Sequence, residues 1–100
     1  MIKGSIMIKS YKTKKWSQMF DAWWRSRHDT LIVHCENKYV YRLALDACGR
    51  WRRNNGLSGK MTSARCGDDL YVMKLGNHTH AMEVNYNDED GVIYYYSIGG

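Results

Sequence analysis

Apolar residues recur at helical spacing through the first half of the chain and at strand spacing through the second. Trp16, Met19, Phe20, Trp23 and Trp24 fall at i, i+3, i+4, i+7 and i+8, the pattern of one helical face. Thr13 or Ser17 stands where a residue could cap that helix. Val40, Leu43, Ala44, Ala47, Cys48 and Trp51 repeat the spacing. Asn37 is a good N-cap for this second helix. Asn54-Asn55-Gly56 supplies the left-handed residue that ends it, and Leu57 follows to pack back. Lys38, Arg42, Arg50 and Arg53 lie largely off the apolar stripe.

The remaining segments read as strands. Ile6–Tyr11 is a first strand, ended by the basic run Lys12-Thr13-Lys14-Lys15. Thr30–Cys35 is short, apolar and β-branched, the signature of a buried strand. After Lys60 the period changes from 3.6 to 2. Leu70–Leu75, His80–Tyr86 and Val92–Ile98 read as strands, with turns at Gly76-Asn77-His78 and Asn87–Gly91. Met61–Cys66 offers a further strand, closed by Gly67-Asp68-Asp69. The expected fold is one α+β domain over residues 1–100, in the order β-α-β-α-β-β-β. Two helices pack on one face of a mixed sheet, and the strands after the second helix form a meander.

Composition narrows the class. At 100 residues a single core is the default. A content of 44% hydrophobic and 25% charged residues is that of a globular chain, and the absence of proline excludes a Pro-rich linker. Thirteen aromatic residues exceed what a core this small needs, so some show a face or polar edge to solvent or a partner. Three cysteines, Cys35, Cys48 and Cys66, form an odd set with no CxxC pair, which points to a reducing, cytoplasmic setting. The first eight residues are too short and too polar for a signal segment, and no apolar run approaches the ~20 residues of a membrane span.

Charge is unevenly distributed. Residues 1–65 hold fourteen Lys/Arg and four Asp/Glu, a sum of +10, while residues 66–100 hold one Lys and six Asp/Glu, a sum of −5. Lys9, Lys12, Lys14 and Lys15 cluster at the first strand-to-helix junction. Lys38 and Arg42 open the second helix, and Arg50, Arg52 and Arg53 close it. Cations at a helix C-terminus suit the macrodipole, so the closing trio has a structural role available. The junction lysines oppose the dipole of the helix they precede, whereas a phosphate there would meet both the lysines and the free N–H groups of the first turn. Lys12, Lys14, Lys15, Lys38, Arg42, Arg50, Arg52 and Arg53 are therefore the candidate nucleic-acid-binding residues, on DNA or RNA. An ordinary solvated surface is the alternative reading of the same charges.

Other chemistry is thin. His78-Thr79-His80 is one loose pair, short of the four ligands zinc takes. Asp88-Glu89-Asp90 reads as a solvated turn, and Cys35 and Cys48 as packing residues. Gly91-Val-Ile-Tyr and Ser97-Ile-Gly echo a GIY-YIG nuclease at too short a spacing, without the Arg and Glu that chemistry needs. Tyr94-Tyr95-Tyr96 could stack bases or sit half in a core. No catalytic set, cofactor or metal site is expected.

A strand, a lysine-rich loop, a helix, a strand, a helix and a hairpin make up a layout similar to that of the Alba family of small basic chromatin and RNA-binding proteins. The stretch Asp29-Thr-Leu-Ile-Val-His-Cys-Glu-Asn-Lys-Tyr-Val-Tyr-Arg-Leu-Ala carries the resemblance, over roughly residues 6–86. It implies that Arg42 matches the family's helix arginine, and that Lys14 and Lys15 match the paired lysines that face nucleic acid. Glu36-Asn37 replaces the family's Gly-containing junction, and the hairpins carry Asp68, Asp69, Asp88, Glu89 and Asp90 where the family is basic. The rival expectation is a protein-binding regulator or inhibitor, as from a phage, contacting its partner through the acidic hairpins or exposed Trp and Tyr. Either reading leaves room for a homodimer.

Overall fold

The computed structural model describes residues 7–76 and 80–99. Its elements are β1 (Met7–Thr13), α1 (Trp16–Arg25), β2 (Thr30–His34), α2 (Lys38–Asn54), β3 (Met61–Cys66), β4 (Asp69–Lys74), β5 (Ala81–Asn87) and β6 (Val92–Gly99). The fold is α+β, with two helices on one face of a six-stranded mixed sheet in the order β1-β6-β5-β2-β4-β3. Only β2 and β5 run parallel; every other neighbouring pair is antiparallel.

Cross-strand register aligns the core. Leu31 and Val33 pair with Val72 and Leu70 on one side and with Met82 and Val84 on the other, and Val84 pairs with Tyr95. All of these side chains are buried, and with period 2 they share the face that the helices cover. α1 contributes Met19, Phe20 and Trp23, and α2 contributes Val40, Ala44, Ala47, Cys48 and Trp51. Leu43, expected with them, is only half-buried.

The helices meet through an aromatic seam. The Trp51 ring stands 5.3 Å from Phe20, 6.4 Å from Trp23 and 6.3 Å from Trp24, centroid to centroid. Its Nε1 donates to Asp21 Oδ1 at 2.8 Å, so the indole N–H is not lost to the core. At the far end of α1, Lys74 Nζ donates to the carbonyls of Trp23, Trp24 and Ser26 at 3.0–3.2 Å. A cation there answers the negative end of the helix dipole, and burial lowers the Lys74 pKa.

The ends of α2 follow the sequence pattern. Asn37 Oδ1 accepts from Val40 N at 3.0 Å. Gly56 takes φ 65°, with Leu57 N donating to Arg52 O and Gly56 N to Arg53 O, the paired bonds of a Schellman stop. The start of α1 differs from expectation. Lys15 is its N-cap and makes no side-chain capping bond. Thr13 instead accepts from Lys15 N and donates to Gln18 Oε1, two residues before the cap position.

Two boundaries are corrected by pairing. Lys12 and Thr13 belong to β1, because they pair with Tyr94 and Ile93. The strands after α2 are not a simple meander, because β2 lies between β4 and β5. Asp29 holds that crossing: its backbone bonds to Lys74 N and His80 O, and its Oδ1 accepts from His80 N. The expected turn at Gly76-Asn77-His78 and the His78-Thr79-His80 pair fall partly outside the described residues.

Trp51→Ala is expected to cost about 3–5 kcal/mol, because it opens a cavity against three rings and strands the Asp21 carboxylate. Urea unfolding followed by circular dichroism measures it. A midpoint equal to that of the wild type would mean that the seam does not hold the helices.

Candidate nucleic-acid interface

α2 turns a basic stripe away from the sheet. The helix carries Lys38, Arg42, Arg50, Arg52 and Arg53 against a single acid, Asp46. Lys38, Arg42, Arg50 and Arg53 are exposed, while Arg52 is half-buried and near enough to Cys48 for its charge to oppose the upward push of burial on that thiol. At 1.5 Å per residue, Lys38 and Arg50 are about 18 Å apart along the axis. The Arg53 guanidinium folds back over Gly49, where an added Cβ would lie 3.3 Å from its Nη1.

The stripe meets the lysine junction in a groove. Lys15, Trp16 and Ser17 at the start of α1, and Ala47, Arg50, Trp51, Asn54 and Asn55 at the end of α2, line an open groove of about 320 Å³. α1 begins there with no side-chain cap and no acid in its first turn. The N–H groups of Trp16 and Ser17 point from a positive dipole end with no acceptor among the described residues. Lys15 and Arg50 add two formal charges, and Asn54, Asn55 and Ser17 add neutral polar groups. The Trp16 ring, half-buried against Phe20 and Tyr86, forms an aromatic wall.

Among the described residues, none of Lys12, Lys14, Lys15, Lys38, Arg42, Arg50, Arg52 or Arg53 makes an ion pair; the pairs present involve His34 and Arg65. The structure brings Lys15 and Arg50 to one groove and strings Arg42 and Lys38 further along α2. It does not bring Lys12 to them. Thr13 pairs with buried Ile93 on the helix-covered face, so Lys12, one residue earlier, stands on the opposite face of the sheet. Tyr39, 61% exposed between Lys38 and Arg42, is an aromatic ring on the basic stripe. Neither it nor Trp16 was marked by sequence spacing, which assigns Trp16 to the core and leaves Tyr39 as a polar-face residue.

The most connected polar cluster lies elsewhere, on the uncovered sheet face. His34 Nδ1 is 3.2 Å from Asp69 Oδ2, and Nε2 is 2.8 Å from Glu83 Oε1. Asp69 Oδ1 also accepts from Cys35 N at 2.9 Å. Burial works against the charged imidazole, but the hydrogen bonds and charges of Glu83 and Asp69 outweigh it and raise the His34 pKa. The two carboxylates hold opposite nitrogens of one ring, and among the described residues no group of three or more His, Cys, Asp or Glu side chains is placed to hold a metal ion.

The raised His34 pKa fixes a sign. The folded state binds the proton more tightly than the unfolded chain, so the stabilisation is fully present below about pH 6.5 and is lost as pH rises through the folded value. His28 acts oppositely, because burial and the charges of His80 and Lys74 lower its pKa. Urea titrations of the wild type and of His34→Gln isolate the first effect. The stability gap between them should be widest near pH 6 and shrink toward pH 8–9. A gap that is flat or widens with pH would show that His34 is not held as a cation.

Scans against protein-family models, curated proteins and solved structures give no match to this chain.

Proposed function

We propose that this chain is a non-enzymatic nucleic-acid-binding protein that grips the phosphate backbone with its helical layer, with little sequence preference. The observation that carries the reading is the groove where Lys15 and Arg50 converge on the uncapped start of α1. Lysines beside a helix N-terminus weaken the free protein slightly, and a bound phosphate turns that cost into attraction. The unpaired stripe of Lys38, Arg42 and Arg53 extends the same chemistry along α2, and a backbone with one charge per ≈ 1.7 Å of duplex axis meets it at several points. Exposed Tyr39 offers a stacking surface to an unpaired base. The Alba-like layout, with Lys14 and Lys15 between first strand and first helix, points the same way.

The reading assigns the chain no chemical step. Burial pushes the Cys35 thiol up to about 11 and raises Cys48 as well, so neither is a thiolate nucleophile at neutral pH. His34 has both ring nitrogens engaged.

Fluorescence anisotropy with a mixed-sequence duplex tests the proposal. Log affinity should fall linearly with log salt, by about 0.9 per phosphate neutralised. Lys15→Ala combined with Arg50→Ala should weaken every sequence alike and flatten that slope by about 1.8, two contacts' worth. An affinity indifferent to salt, or a double variant that binds as the wild type does, would overturn the phosphate account.

A further inference from the structure

Both helices cover one face of the sheet, and the other face sets apolar and aromatic residues among its polar ones. A sheet face turned to water normally carries polar residues. Here register aligns Ser10, Tyr96, Glu83, Ile32, Tyr71 and Ala64 in one row across all six strands. The adjacent row runs Lys12, Tyr94, Asn85 and His34, with Asp69 and Cys66 beyond. Ile32, Tyr71, Met73, Tyr94 and Tyr96 are partly buried on this face, and their accessible edges and rings lie beside its carboxylates, the mixture of aromatic and charged groups that partners use.

Charge selects the occupant. The middle of the face holds Asp69 and Glu83 around the one imidazole of His34, a net negative charge in either protonation state of the ring, with Lys12 out on the edge strand. The β3–β4 and β5–β6 turns, carrying Asp68 and Asp88-Glu89-Asp90, lie at the end of the sheet where β2 stops, and Glu36 follows there. This surface repels a phosphate backbone. A second copy packed face to face would set these acids against their own images. A cationic side chain finds carboxylates and tyrosine rings side by side, and the chain already uses such pairing: Arg65 lies 5.1 Å over the Tyr41 ring, and Lys74 5.2 Å over Trp23.

We propose that the uncovered sheet face is a docking surface for a basic protein partner, through an arginine-bearing segment whose guanidinium groups stack on Tyr71, Tyr94 and Tyr96 and pair with Glu83 and Asp69. Arginine is favoured over lysine because its planar guanidinium stacks on a ring and pairs with a carboxylate at once. The protein then has two faces of opposite recognition, a basic helical layer and an acidic, aromatic sheet.

The probe is a synthetic Arg-Gly repeat peptide titrated into the full chain and followed by amide NMR shifts, with the matching Lys-Gly peptide as comparison. Saturable shifts are expected at Ile32, His34, Tyr71, Glu83 and Tyr94, with tighter binding of the arginine peptide. Glu83→Lys should weaken that binding at least tenfold, as should Tyr94→Ser, which leaves the charge and the His34 clamp in place. Both variants should bind a duplex oligonucleotide no worse than wild type. Shifts confined to the 88–90 turn or to the helices, equal binding by either variant, or the same resonances moving with protein concentration alone, which would assign the face to a second copy, would each overturn the proposal.

Discussion

The structure depends on one-sided burial. Two amphipathic helices supply enough apolar surface to cover one face of a six-stranded sheet, and the Trp51 ring is the wedge that lets them do so as a single layer. It fills the angle between α1 and α2 against Phe20, Trp23 and Trp24, and its N–H is satisfied by Asp21. With that seam in place the polar sides of both helices face outward, and Arg42, Arg50 and Arg53 of α2 with them. Among the described residues no helix covers the opposite sheet face. The candidate interface and the proposed docking face are thus two consequences of the same packing.

Electrostatics then separates the faces. The sequence is basic before residue 65 and acidic after it, and the fold keeps much of that division in space. α2 carries five cations and one acid. The two acidic turns and Glu83 belong to strands β3–β6. The division is incomplete at β1, where Lys12 falls on the acidic side while Lys15 reaches the groove. Lys12 is still a strand residue and takes the face opposite to Thr13, whereas Lys15 lies beyond the strand as the N-cap of α1.

The helices were legible from the sequence because their determinants are local. The 3.6 spacing, the Asn37 cap and the Gly56 stop all act within a few residues and appear where expected. The insertion of β2 between β4 and β5 was not legible, because it rests on Asp29 reaching Lys74 and His80, more than forty residues away. The same is true of the Lys74 bonds that finish α1, and of the clamp on His34, whose partners lie 35 and 49 residues along the chain. Thr13 looked like a cap and became the last residue of an edge strand, because pairing with Ile93 extended β1 into the lysine run. Of the candidate basic residues on α2, residue type and helical phase were enough to place Lys38, Arg42, Arg50 and Arg53 outward, while Arg52 lies half-buried near Cys48. Which of them share a groove required the crossing of α1 over the end of α2.

The central claim is that nucleic acid meets the helical layer and not the sheet. Mapping the amide shifts of the full chain on titration with a mixed-sequence oligonucleotide at low salt tests it most directly. The account predicts shifts at Lys15–Gln18, along Lys38, Arg42 and Arg50, and at Asn54 and Asn55, with Ile32, Tyr71 and Glu83 unmoved. Shifts centred on the uncovered sheet face, with the start of α1 silent, would contradict it.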